Sequence, residues 1–204
     1  MRLRRKLRRV QLRLLSLRVS AMSNVKQEHT TNLSGPELVS KTHPIIELRG
    51  RLDELNARIV LLQIRARAEE EFQLEAELEE VRGKAAELIT CEVRGTPCGE
   101  LTLWGMSEAE IHERSHYPDR YYALGHILPH ADMGRWAAEI NLLRTLVREV
   151  ELVACRAFDD GEGGVTRPDI VKVLNRLSSA FYILIYKYLP EQFDHVVHFG
   201  KKVR

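Results

Sequence analysis

Cysteine is scarce. The 204 residues hold three (Cys91, Cys98 and Cys155), an odd set without a Cys-x-x-Cys pair. That excludes a disulfide framework and a thiolate zinc site, and it fits a reducing, cytoplasmic compartment. Uninterrupted apolar runs of roughly 18 residues are missing, which excludes a membrane-spanning helix. Strand-like alternation of useful length is missing too, as are internal repeats. Basic residues are scarce where a nucleic-acid binder would need them. Of 31 Lys and Arg, eight crowd into residues 1–20, where there is no acid, which leaves 23 basic against 29 acidic residues, a net of −6, in the rest. An acidic body excludes nucleic acid as its partner.

What remains is enough for a core, with 44% hydrophobic residues, and its periodicity is helical. Residues 1–21 form a basic amphipathic tail, with Leu3, Leu7, Val10, Leu14 and Leu17 at helical spacing. It reads either as a targeting or docking helix or as sequence upstream of a start at Met22. Residues 22–43, punctuated by Asn-Leu-Ser-Gly-Pro at 32–36, read as an irregular arm. From Pro44, apolar residues recur every three or four positions (Ile45, Leu48, Leu52, Leu55, Ile59, Leu62), and helix continues to about residue 90 as one kinked rod or two. Ser107 with Glu110 forms a capping box. Residues 117–135 read as loop, and two long helices follow at 136–158 and 168–189, the second opened by Pro168. The fold class is all-α, an antiparallel bundle over residues 44–204.

Helix 136–158 carries the informative pattern. Its leucines, valines and isoleucine cover most of its circumference and predict burial. Yet Asn141, Arg144, Arg148 and Glu151 fall at steps of three, four and three, stacked on one face. The last helix has a companion stripe of Lys172, Asn175, Ser179, Tyr182 and Tyr186 beside Arg176. Buried charges need partners or a charged ligand, and guanidinium groups suit polyphosphate because they offer planar, bidentate donors. Spacing alone fits two readings: an anion site, or an internal salt-bridge network of Arg144, Arg148, Glu151 and Asp53.

Several short motifs occur in order between Gly105 and Leu184: His112 with Ser115 and His116, Ile127-Leu-Pro, the run Asn141-Leu-Leu-Arg-Thr-x-Val-Arg-Glu, and Leu174-Asn-Arg-Leu-Ser-Ser. With Leu52-Asp-Glu-Leu-Asn upstream, this stretch resembles the ethanolamine-utilisation cobalamin adenosyltransferases. The resemblance implies a five-helix bundle assembled as a homotrimer, with ATP and a corrinoid (cobalamin) bound at subunit interfaces and Mg2+ accompanying the phosphates. It implies transfer of the 5′-deoxyadenosyl group of ATP to cobalt. Arg148 then takes the ATP-binding position, with Glu151 and Asn175 lining the nucleotide site. Arg144 is the arginine that also pairs across the interface with Asp53. His126 occupies the position near the corrinoid where the related propanediol type has phenylalanine. That type's Gly-rich phosphate loop has no equivalent in residues 22–43, where Lys41 is the candidate phosphate ligand. The cysteine cluster of the ethanolamine type's N-terminal extension is absent too. A cobalamin reductase or a cobalamin-dependent lyase is the implied partner, and a bacterial microcompartment the implied setting within the cytoplasm.

His112, His116, His126 and His130 are close in sequence, but no carboxylate or thiol is tied to them by a metal motif, so the sequence assigns no metal. Two other functional readings stay open at this point. One is a bundle that binds corrinoid or nucleotide without catalysis; the other is a purely structural helical oligomer.

Overall fold

The computed structural model describes residues 27–197; the basic tail lies outside them. The chain divides at His43 into two units. The first contains a hairpin, β1 (Thr30–Asn32) paired antiparallel with β2 (Leu38–Ser40). It turns through Gly35, whose φ of +53° is open to glycine at little cost. Asn32 Nδ2 donates to the Gly35 carbonyl at 2.9 Å and holds the turn. The arm is therefore regular at its centre. Strands of three residues are too short to show alternation, and the Ser-Gly-Pro read as irregularity is the hairpin's turn.

The second unit begins at Pro44. Helix α1 (Pro44–Ala68) buries Leu48, Leu52, Leu55, Ile59, Leu62 and Ala66 along one stripe. Helix α2 (Phe72–Arg94) answers with Leu74, Leu78, Val81, Ala85, Leu88 and Cys91. The helical stretch from residue 44 is thus two helices, separated at Glu69–Glu71. There Glu70 takes a φ of +62° and Glu71 N–H reaches back to the Ala66 carbonyl at 2.8 Å. Gly95 closes α2 in the left-handed conformation, and Thr96 N–H caps the Cys91 carbonyl at 3.0 Å.

A two-residue ribbon, β3 (Thr102–Leu103) with β4 (Met106–Ser107), leads into α3 (Glu108–His116). The capping box is present: the Ser107 hydroxyl accepts from Glu110 N–H, and the Glu110 carboxylate accepts from Ser107 N–H. The segment read as loop holds a short helix α4 (Pro118–Tyr122), strand β5 (His126–Ile127) and a 3-10 turn (Ala131–Met133). The long helices α5 (Gly134–Ala157) and α6 (Pro168–Lys187) complete the bundle, and β6 (Val196–Val197) pairs back on β5.

α5 packs on α6 and α1, α1 on α2, α2 on α6, and α3 against α6. Among the described residues five helices form the bundle, with the single-turn α4 beside it. The core is one cluster reaching from Leu48 to Phe193. α6 is its most buried rod, with eleven buried residues including Phe181 at 0% exposure. The Cys98 thiol is pushed up to about 12, first by burial and then by Cys91, which disfavours the thiolate form. Among the described residues no helix is long and apolar enough to cross a membrane.

One expectation for α5 fails. Leu142 and Leu152 are 57% and 59% exposed, and with Thr145, Glu149 and Arg156 they form an outward face. Val60, Leu61 and Ile64 are likewise exposed on α1. Sequence composition signals that a position is apolar, not which apolar face the chain's own core covers.

Candidate functional site

The two polar stripes meet. α5 contributes Arg144 and Arg148, α6 contributes Asn175, Ser178, Ser179 and Tyr182, and α3 contributes His112, Ser115 and His116. With His126 from β5 they line a cavity of about 350 Å³. Helical spacing of three and four places each set on one face, and the close packing of α5 and α3 against α6 brings the faces together.

Arg144 is held against the ring of Tyr182, its guanidinium carbon 4.8 Å from the ring centroid. Its Nε is buried and has no hydrogen-bond partner among the described residues. Burial first, and the like charge of Arg148 second, pull the Arg144 guanidinium below the usual arginine range. A guanidinium stays protonated at neutral pH even so. Both causes reverse when an anion arrives, because a negative charge compensates desolvation and screens the repulsion. Arg148 is exposed in the cavity wall and, like Arg144, meets no carboxylate among the described residues.

The internal salt-bridge network is therefore not formed. Glu151 accepts a hydrogen bond from Asn175 Nδ2 at 2.9 Å rather than from either arginine, and Arg176 donates to Asn175 Oδ1 at 2.6 Å. Asp53 stands exposed on α1, outside the cavity lining, and enters no ion pair among the described residues. The start of the α6 stripe is also turned elsewhere: Lys172 and Arg176 both pair with Glu108, at 2.9 and 3.5 Å. Tyr186 is buried, donating to the Gly125 carbonyl at 2.7 Å.

His126 lines the cavity next to Tyr182, the rings nearly parallel with centroids 6.2 Å apart. Its Nδ1 lies 3.3 Å from the Tyr182 hydroxyl, which also accepts the Ile127 amide at 3.1 Å and lies 3.1 Å from the Tyr186 hydroxyl. The β5 backbone and the His126 ring are thus tied to α6 through one tyrosine. On α3, His112 and His116 stack at 4.1 Å, and Ser115 Oγ donates to the His112 carbonyl at 2.9 Å. His112 is held below the ordinary histidine range by burial, then by Arg176 and His116.

Lys41 belongs to the hairpin unit, where its backbone amide donates to the His29 carbonyl at 2.8 Å. Ser115 and Ser178 lie within motifs that the sequence showed, but it gave neither a place in the site: Ser115 stands between the two histidines of its motif, and Ser178 sits one position from a stripe drawn at exact helical steps. The cavity is cationic, polar and free of carboxylates in its lining. It offers bidentate donors, hydroxyls and an amide, which is chemistry for an anion with many oxygens.

Comparison with known proteins gives the same direction. A family model described as cobalamin adenosyltransferase matches residues 21–188. The corrinoid adenosyltransferase EutT of Escherichia coli (strain K12) is 37% identical over 167 residues, covering 82% of this chain and 61% of that protein. The corrinoid adenosyltransferase EutT of Salmonella typhimurium is 36% identical over 160 residues, covering 78% of this chain and 58% of that protein. The chain thus spans about three fifths of the length of these relatives.

Proposed function

The chain belongs to the cobalamin adenosyltransferase family, and on that premise we propose that it transfers the 5′-deoxyadenosyl group of ATP to the cobalt of a reduced corrinoid. The observation that carries the assignment to this cavity is the pair Arg144 and Arg148, two guanidinium groups without a carboxylate partner among the described residues. In the reaction the Co(I) lone pair attacks the ribose C5′. The cobalt–carbon bond forms as the C5′–oxygen bond breaks, the bonding electrons leave on triphosphate, and cobalt is oxidised to Co(III).

Nothing in that displacement asks the protein for a general acid or base. It must align C5′ with cobalt and stabilise the charge gathering on the leaving oxygens. Arg148 binds the phosphates, and Arg144, fixed against Tyr182, supplies the second positive charge. Asn175 and Glu151, bonded to each other, orient the nucleoside end. Mg2+ does not fit the cavity as a protein-held ion, because the lining offers it no carboxylate; no step here passes through it.

His126 packs beneath the corrinoid without ligating cobalt. Tyr182 holds its Nδ1, and a ring so held fills space as phenylalanine would. The exposed stripe of Leu142 and Leu152 on α5, with Val60, Leu61 and Ile64 on α1, supports a homotrimer in which these faces are covered. The test of function is anaerobic incubation with ATP and chemically reduced cobalamin, following the absorption change of cobalt alkylation. Alkylation with release of one triphosphate per corrinoid is expected; an unchanged Co(I) spectrum sinks the proposal.

A further inference from the structure

Away from the cavity, three donor groups converge where the chain enters α5. His130 caps the 3-10 turn, Asp132 lies within it, and His195 comes from the segment just before β6. Asp132 Oδ2 stands 3.0 Å from His130 Nδ1 and 2.9 Å from His195 Nε2, and all three donors lie within 4.8 Å of one another. The two imidazoles lie face to face, centroids 3.8 Å apart and planes at 23°.

The hydrogen bonding of this cluster does not close by itself. Asp132 N–H donates to His130 Nδ1 at 3.2 Å, so that nitrogen presents its lone pair. A lone pair 3.0 Å from a carboxylate oxygen is acceptor against acceptor. If Nδ1 carries the proton instead, the Asp132 amide loses its acceptor. Protonating both rings fully would stack two imidazolium ions on a single carboxylate. A divalent cation resolves the conflict, since neutral imidazole nitrogen and carboxylate oxygen are its natural ligands. Metal–ligand bonds of roughly 2.0–2.2 Å place neighbouring donors about 3 Å apart, the separation of Asp132 Oδ2 from each of the two imidazole nitrogens.

We propose that His130, Asp132 and His195 bind one divalent first-row transition ion of the zinc class. The set is two histidines and one carboxylate with an open position for water. Imidazole donors favour such an ion over Mg2+ or Ca2+, which prefer all-oxygen shells. The ligands are exposed or half-exposed, so an ion can reach them. The consequence is a clasp. Leu128 N–H donates to the His195 carbonyl at 2.9 Å, and β5, which starts at His126, pairs with β6 through His126–Val197 and Ile127–Val196. An ion joining residues 130 and 132 to 195 fastens the ribbon that carries His126 to the entry of α5.

The test uses the full chain, stripped with chelator and titrated with Co2+ by its ligand-field absorption and with Zn2+ by calorimetry, neither ATP nor corrinoid being present. One ion per chain is expected, with a Zn2+-dependent rise in melting temperature. His130→Ala and His195→Ala should each weaken Co2+ binding by about 100-fold or more, beyond the roughly 10–100-fold cost of losing an outer-shell partner. His195→Gln, which keeps bulk beside Phe193, should do the same and guards against misfolding. His29→Ala should leave affinity unchanged. Absence of saturable binding, or equal affinity in the native chain and both His195 variants, overturns the site.

Discussion

α6 carries charge chemistry of two kinds. At its C-terminal end Lys187 pairs with Glu77 of α2, a carboxylate that is only 8% exposed and also accepts from the Tyr188 hydroxyl at 2.9 Å. Both Glu77 carboxylate oxygens have partners inside the chain, and the Trp104 indole closes over it by donating to the Glu77 carbonyl at 3.1 Å. Nearer its middle, the same helix faces Arg144 and Arg148 with hydroxyls and an amide and no acid. The first region is closed electrostatics that holds α2 to α6. The second keeps like charges together at a cost in stability that only an incoming anion relieves. Charge in a helical bundle is therefore not informative in itself; the presence or absence of a partner separates scaffold from site.

Substitutions at the two regions should part company. The largest effect is expected from Arg148→Ala: turnover is lost while helicity by circular dichroism and particle size by light scattering stay native. Survival of turnover would remove Arg148 from the site. Glu77→Ala should do the reverse, lowering unfolding free energy by about 1–3 kcal/mol, since Lys187 can rehydrate while Tyr188 loses its acceptor. Denaturant titration measures that loss, and ATP affinity should be unchanged. If Glu77→Ala also abolished ATP binding, the two regions would not be separable.

A smaller and more specific effect is expected at the boundary of the site. In electron paramagnetic resonance of cob(II)alamin with protein and ATP, His126→Phe should preserve a four-coordinate spectrum, whereas His126→Ala should lose it. Nitrogen hyperfine coupling that disappears in both variants would make His126 a cobalt ligand instead. For the assembly, light scattering should give a trimer, and Leu142→Glu with Leu152→Glu should reduce it to smaller species. A native chain that is monomeric would remove the partner from the account.

The sequence showed the bundle clearly because its long helices keep strict periodicity over twenty residues or more, and because Ser107, Gly95 and Pro168 mark ends for reasons local to themselves. It hid the hairpin and the β5–β6 ribbon, whose strands are too short to carry a period. The stripe Asn141, Arg144, Arg148 and Glu151 and its companion through Asn175 were visible as spacing, but their meaning was not. Spacing cannot tell whether Glu151 turns to an arginine or to Asn175, and that choice decides between salt bridge and anion site. The His130–Asp132–His195 cluster was hidden for a different reason. His-x-Asp is unremarkable alone, and its third member lies beyond two helices and is delivered by strand pairing.

The central claim is that Arg144 and Arg148 are kept unpaired for a polyphosphate. Calorimetric titration of ATP and of inorganic triphosphate into the native chain, Arg144→Ala and Arg148→Ala tests it without needing catalysis. Both ligands should bind the native chain. Each substitution should cost about 1.5–3 kcal/mol, a loss of roughly 10- to 150-fold, with melting temperature unchanged or raised as the like-charge repulsion is relieved. Equal affinities for native and both variants, or a native chain that binds neither ligand, would contradict the account.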